Sequence, residues 1–154
     1  MVNEGVDMGG LADLQIRPVR INDAADISRI QEAITNTPRQ IDFKKVIKER
    51  IRRSVGAGFV AEVKGSVVGY MISYIVYAGF GLEKSAWIAA LGVDPNFMGK
   101  GVGQRLAFEV FRFYRKQGVK KIFTSVAWDS VDLLSFFKML GFARSNFINL
   151  NKDL

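Results

Sequence analysis

Residues 96 to 117 read NFMGKGVGQRLAFEVFRFYRKQ, with glycines at 99, 101 and 103, a lysine at 100, and a helical pattern directly behind them. Glycine is a poor helix former, so three of them at the mouth of a helix call for a cause. A turn whose successive backbone N–H groups converge, at the positive end of a helix dipole, makes an anion site. Glycines allow both the unusual dihedrals and the close approach of a ligand. Gly99, Lys100, Gly101, Val102 and Gly103 suit a phosphate on these grounds. The spacing rejects two familiar phosphate loops: G-x-x-x-x-G-K-[ST] is absent, and G-x-G-x-x-G fails at Gln104. Lys120 and Lys121 stand where a dinucleotide site places its ribose-binding acid. Glycines in such a turn also serve plain strand–helix packing, and the loop alone leaves both roles open.

Other chemistry is narrowed by what the chain lacks. With no cysteine and no histidine, there is no disulfide, no thiolate, and neither the commonest general base nor the commonest metal ligand. No metal is expected. The net charge of +7 and a pI near 9.8 favour an anionic ligand: nucleic acid, a membrane surface or a phosphorylated cofactor. The most basic stretch, DFKKVIKERIRR (42–53), reads as a solvated helix face and lacks the aromatic platform of a nucleic-acid binder. No window approaches the roughly 18 apolar residues of a membrane span, and the first residues lack a signal-peptide pattern. A soluble, cytoplasmic protein without nucleic acid or membrane as partner is the expectation.

The elements that must position the loop can be read from periodicity. A chain of 154 residues, 49% hydrophobic, can build one core. Residues 1 to 13 read as a flexible tail and 14 to 154 as the domain. LQIRPV alternates as a strand. NDAADISRIQEAI follows as a helix with Ala24, Ile27, Ile30 and Ile34 inward and Asn22 or Asp23 as cap. DFKKVIKERIRR is a second helix with Phe43, Val46, Ile47 and Ile51 inward. Residues 58 to 81 form a hairpin broken at Lys64-Gly65-Ser66, and SAWIAALGVDP is a further strand stopped by Pro95. Gly92 inside that strand suggests a bulge or a close backbone approach. After the glycine loop come a helix with Leu106, Val110 and Tyr114 on one face, a strand KKIFTSVAW, a short helix SVDLLSFFKML and a closing strand FARSNFINLNK. The order is mixed α/β (α+β).

LGVDPNFMGKGVGQRL (91–106) resembles the central signature of the GNAT superfamily of N-acetyltransferases, a V-x-P at a strand end followed by [QR]-x-x-G-x-[GA] and a helix. IRPVRINDAADI resembles the family's first strand and helix, GSVVGYM its second hairpin, and FFKMLGF its closing helix and turn, all in the right order over about residues 14 to 154. The resemblance implies a strongly twisted mixed sheet of about six to seven strands, helices on both faces, and splayed central strands that receive acetyl-coenzyme A. It places the pyrophosphate on residues 99 to 104, with Met98 standing where the family usually has Gln or Arg. It places pantetheine beside exposed backbone at Leu91 and Val93, with Gly92 permitting the bulge that frees those groups. The same N–H groups would stabilise the oxyanion of acetyl transfer.

Met98 is one departure from the family pattern and keeps its backbone N–H for a phosphate; the second concerns catalysis. Phe137 occupies the position where many members carry a proton-donating tyrosine, and phenylalanine donates no proton. Ser130, at the place of a frequent asparagine, suits either pantetheine or a helix cap, and Ser135 is another hydroxyl nearby. For a base the candidates are Glu62 and Tyr74 on the hairpin, Glu83 before the next strand, or a water chain. The implied function is direct acetyl transfer from acetyl-coenzyme A to a primary amine of a small molecule, a protein N-terminus or a lysine. A coenzyme A-binding regulatory module without turnover is the alternative. The acceptor and the oligomeric state, including a homodimer, stay open.

Overall fold

The computed structural model describes residues 11–37, 41–53 and 56–154. Most of the expected tail therefore lies outside the described residues, and Leu11 and Leu14 close a turn into the first strand. The elements are β1 (Leu14–Pro18), α1 (Ala24–Thr35), α2 (Phe43–Arg53), β2 (Gly58–Val63), β3 (Ser66–Tyr77), β4 (Lys84–Val93), α3 (Val102–Lys116), β5 (Ile122–Thr124) and α4 (Val131–Met139). They fall into two compact units, one ending at Phe123 and one comprising Thr124–Leu154. Among the described residues no helix is long and apolar enough to cross a membrane.

The first unit holds the sheet, in the order β1-β2-β3-β4-β5. β1 to β4 are antiparallel neighbours. β5 arrives through a crossover: Lys84 Nζ donates to Gln117 O at 3.0 Å and Ala86 N donates to Lys121 O at 3.0 Å. The β4–α3–β5 connection is a strand–helix–strand crossover, the kind that joins parallel neighbours. The sheet is therefore mixed, as a strand–helix–strand crossover requires.

Helices cover both faces. On one face α1 and α2 bring Ile27, Ile30, Phe43 and Ile47 against Val60, Tyr70 and Ile72, all buried. A fully buried side chain of this kind contributes about 1.5–3 kcal/mol. On the other face α3 buries Val102, Leu106, Ala107, Val110 and Tyr114. Gly69 lets Val102 and Leu106 approach the sheet: a Cβ there would stand 3.0 Å from Val102 and 3.3 Å from Leu106. The Tyr114 hydroxyl accepts from Ala57 N at 3.1 Å and pairs with Ser73 Oγ at 2.8 Å, satisfying polar groups that burial would otherwise penalise. Ile34 and Ile51, expected inside, are 40% and 53% exposed because they lie in the last turns of their helices, past the edge of the core. Asp23 sits at the α1 N-cap position but makes no side-chain cap bond. Its carboxylate instead takes both Arg17 Nη1 and Nη2 at 2.8 Å and Arg20 N at 2.7 Å.

In the second unit α4 ends at a left-handed Gly141 (φ +89°), where Gly141 N donates to Lys138 O and Phe142 N to Phe137 O. These two bonds form a Schellman cap, with Phe142 packed edge-on to Phe137 at 5.0 Å. The expected closing strand does not form, and the strand expected over KKIFTSVAW shrinks to Ile122–Thr124, so the sheet has five strands rather than six or seven. The cause in the tail is local competition. Ser145 Oγ accepts from Phe147 N at 3.2 Å, a turn that diverts backbone groups a ladder would use, and polar residues interrupt the apolar run on both sides of Phe147.

Candidate active site

The glycine loop follows β4 through a single 3-10 turn at Pro95–Phe97, capped by Asp94, whose side chain accepts from Asn96 N at 3.0 Å. The Asp94 carboxyl lies below its ordinary value, held there chiefly by the Asn96 N–H and, against the opposing effect of burial, by Arg29 at 3.1 Å. Its charge is thus spent before the loop begins. Gly99 (φ +74°) and Gly101 (φ +79°) are left-handed, and Gly101 occupies the N-cap of α3 with no side-chain cap bond. The first N–H to find a helical partner is that of Arg105, which donates to Gly101 O at 3.1 Å. The N–H groups of Val102, Gly103 and Gln104 head the helix without one, as the first turn of any α-helix requires. A Cβ on Gly99 or Gly101 would meet nothing within 4 Å. The glycines serve their backbone angles and an open cradle, not tight packing. Lys100 is exposed, its Nζ 5.5 Å from the Phe97 ring centre, and Met98 is 51% exposed.

The strand leading into this loop has an unusual distribution of hydrogen-bonding groups. β3 pairs Ile72 with Ala90 and Ser73 with Ile88, so Ala89 is an extra residue, a β-bulge. The bulge lies three residues before Gly92, the position expected for it. Gly92 answers instead to a close approach. A Cβ there would fall 2.8 Å from the Tyr70 ring and 2.9 Å from Ile34 Cδ1, so it is glycine because Tyr70 and α1 come this near. Tyr70 is wholly buried, its hydroxyl donates to Gln31, and burial pushes its pKa up to about 12.

The bulge inverts which groups face which neighbour. Asp94 N donates to Val68 O at 2.8 Å, so by the two-residue period the backbone of Gly92 and Ala90 also faces β3. Leu91 and Val93 then turn their N–H and C=O groups away from β3. Before the bulge the phase is opposite, since Ala86 N points to Lys121. β5 has three residues against ten in β4, and its contact at Ala86 fixes it beside the first half of that strand. At about 3.3 Å per residue, β5 ends well short of Val93. Leu91 and Val93 therefore present amide groups to a gap that no described strand fills. Their half-buried side chains lie on the α3 face, opposite Met71 and Gly69.

The expected proton carriers are dispersed. Glu62 accepts from Arg17 Nε at 2.8 Å and is two strands removed from β4. Glu83 precedes the start of β4, roughly 20 Å along the strand from the bulge. Tyr74 stands opposite Trp87 in the ladder, one step from the bulge, half-buried on the α1–α2 face. Ser130 occupies the α4 N-cap without a side-chain cap bond, Ser135 is exposed on that helix, and Phe137 is 4% exposed beside Phe136 and Phe142. Sequence reasoning missed Ala89. Among the described residues no group of acidic side chains is placed to hold a metal.

The chain and its fold have counterparts among known proteins. The chain is 30% identical over 89 residues to mycothiol acetyltransferase of Amycolatopsis mediterranei, a match covering 56% of this chain and 30% of that protein. Its fold matches an aminoglycoside acetyltransferase from an uncultured soil metagenomic sample, solved in complex with sisomicin, with a TM-score of 0.78, 22% identity and coverage of 92% and 97% of the two chains. It also matches aminoglycoside N-acetyltransferase AAC(6')-Iy in complex with coenzyme A, with a TM-score of 0.74, 15% identity and coverage of 91% and 99%. A model of the GNAT acetyltransferase family matches residues 24–142, from the start of α1 through the turn that closes α4. That span is well over half of the chain, and this protein belongs to the GNAT acetyltransferase family.

Proposed function

We propose that the protein transfers an acetyl group from acetyl-coenzyme A directly to a primary amine. One observation carries the reading: the outward-facing backbone of Leu91 and Val93 leads straight into the open, uncapped glycine cradle at the N-terminus of α3. The residues present fit the coenzyme. Val102, Gly103 and Gln104 offer N–H groups and Lys100 a mobile positive charge to a pyrophosphate. Leu91 and Val93 offer donors and acceptors at strand spacing to the amides of pantetheine.

When bound, acetyl-coenzyme A supplies a thioester carbonyl and a thiolate leaving group. The work of the chain is to orient that carbonyl and to hold an N–H of β4 toward the oxygen on which charge builds, a contribution of about 3 kcal/mol per donor in other acyl-transfer enzymes. In the reaction the amine nitrogen bonds to the carbonyl carbon, the carbon–sulfur bond breaks, sulfur leaves as coenzyme A thiol, and an ammonium acceptor releases one proton to solvent. An ammonium of pKa about 10.4 is only roughly 0.04% free amine at pH 7, so a proton path is needed. Tyr74 is the candidate nearest the bulge, and water completes the path. The buried Phe137 favours a second reading, in which coenzyme is bound without turnover.

Thermal melting with acetyl-coenzyme A, followed by release of free thiol over a panel of primary amines, tests both. We expect stabilisation and amine-dependent thiol release. Stabilisation without release from any amine selects the regulatory reading, and a melting curve unchanged at saturating coenzyme refutes both.

A further inference from the structure

The loop between β3 and β4, YAGFGLEKS, carries a feature that coenzyme binding does not use. Phe80 lies flat over Trp87, ring centres 5.9 Å apart and planes 11° from parallel, while Phe123 of β5 touches both, at 4.6 Å from Phe80 and 6.5 Å from Trp87. All three rings are half-buried. The backbone is bent to achieve this. Ala78 (φ +55°) and Phe80 (φ +56°) are both left-handed, a conformation unfavourable for a residue with a side chain and most of all for a bulky one. Gly79 and Gly81 complete the turn, the first because a Cβ would strike Val76 at 2.5 Å, the second because its φ is +68°. A strained residue whose side chain is held in one place points to a use for that side chain.

Location and charge indicate the use. Trp87 is two residues from the Ala89 bulge on the same strand, about 7 Å away, and shares its sheet face with Tyr74. With the thioester carbonyl at the bulge, where the acetyltransferase reading puts the freed N–H groups, a group lying on the aromatic ledge reaches it with a two- or three-atom arm. The segments bearing the rings carry one acid, the exposed Glu83, against Lys84 and Lys121. They offer no acidic cluster to receive several ammonium groups and a cationic rim that repels a second one. Resting on the acetyltransferase reading above, we infer that the acceptor is a monoamine whose amine sits on a short arm from an aromatic ring, and that Phe80, Trp87 and Phe123 select it. Polycationic acceptors are disfavoured.

The test compares kcat/KM for phenethylamine and tryptamine with those for spermidine and sisomicin, in the wild type and in Phe80→Leu and Trp87→Leu. The readout is the aromatic-to-aliphatic ratio, which a partly unfolded preparation does not change. We expect the wild type to prefer the aromatic amines at least about tenfold. Each leucine variant should lower that ratio about two- to twelvefold, the range of one ring–ring contact, with unchanged stabilisation by acetyl-coenzyme A. In parallel, Trp87 emission is titrated with phenethylamine in a Trp128→Phe background, which leaves one tryptophan. Quenching without turnover of any amine keeps the ledge and refutes the catalytic reading. A preference for spermidine or sisomicin, or a ratio untouched by both variants, refutes the ledge, as does the absence of both quenching and aromatic turnover.

Discussion

Replacing Gly92 by alanine sets two opposed effects against each other, and the structure decides the sign. The backbone at 92 is not left-handed, so an L side chain meets no dihedral strain there. At an open site of this kind Gly→Ala stabilises by about 0.4–1 kcal/mol, through the entropy of the unfolded chain. The new methyl, however, would lie 2.8 Å from Tyr70 Cε1, 3.1 Å from Tyr70 Cζ and 2.9 Å from Ile34 Cδ1. Carbon atoms rest about 3.5–4.0 Å apart, so something must retreat by roughly 0.7 Å. Ile34, 40% exposed, can rotate away. Tyr70 cannot, because its ring is wholly buried, stands edge-on to Phe43 at 5.6 Å and is tied by its hydroxyl to Gln31. Overpacking against such a ring costs about 1–3 kcal/mol. The net loss is then up to about 2.6 kcal/mol, and at about 2–4 °C per kcal/mol for a chain of this size the melting temperature falls by as much as about 10 °C. Differential scanning calorimetry of Gly92→Ala, Tyr70→Leu and the double variant provides the measurement. The double variant should be more stable than the sum of the single losses implies, because removing the ring removes the collision. A Gly92→Ala protein that melts at or above the wild type, or strict additivity in the double variant, refutes the reasoning.

Acetyl-coenzyme A at about 100 times its dissociation constant should add roughly 2.7 kcal/mol, a rise in melting temperature of about 5–11 °C, and Gly101→Asp should abolish that rise by placing a carboxylate in the cradle. Asp23→Asn should cost about 1–3 kcal/mol at neutral pH, because it weakens two charge-assisted bonds to Arg17, which keeps Glu62 as a partner. Burial alone raises the Asp23 pKa, but the Arg17 and Arg20 bonds outweigh it and hold the carboxyl below its ordinary value. The stability it confers is thus complete above about pH 3.9 and lost as pH falls through the lower folded value, so the gap between wild type and variant, followed by denaturant melts, should close only in that acid range. Phe137→Tyr should lower the melting temperature if the new hydroxyl stays unpaired between Phe136 and Phe142, at about 1–3 kcal/mol. A kcat raised by up to about tenfold at undiminished stability would instead assign the position an acid role.

The parts of this molecule legible in the sequence are those governed by local periodicity. Leu106, Val110 and Tyr114 recur at helical spacing and are buried together on α3, and the glycines at 99 and 101 take the left-handed angles that their type favours. What the sequence misplaces depends on a partner strand. Gly92 announces a close approach but not which neighbour approaches, and Tyr70 is twenty-two positions away in the chain. The bulge at Ala89 is a mismatch between two strands and has no signature in either alone. The closing segment alternates well enough to read as a strand, yet Ser145 finds a nearer partner in Phe147. Glu62, a base by its chemistry, is engaged by an arginine forty-five positions upstream.

The gap beside Leu91 and Val93 is also an unguarded edge in the interior of a sheet. Proteins usually blunt such edges with charge, proline or a covering segment, because an open row of amides will pair with any extended chain it meets. Here no charged side chain guards the row, since the residues from Ala89 to Val93 are Ala, Ala, Leu, Gly and Val. Its protection is shortness and, on the proposed function, the coenzyme itself, which carries amides as a peptide does. On that function, acetyl-coenzyme A would act as a chaperone as well as a substrate: solutions of the protein held with it should resist aggregation beyond what the gain in melting temperature explains, because the ligand would shield the amides that nucleate strand-to-strand association while the chain is still folded.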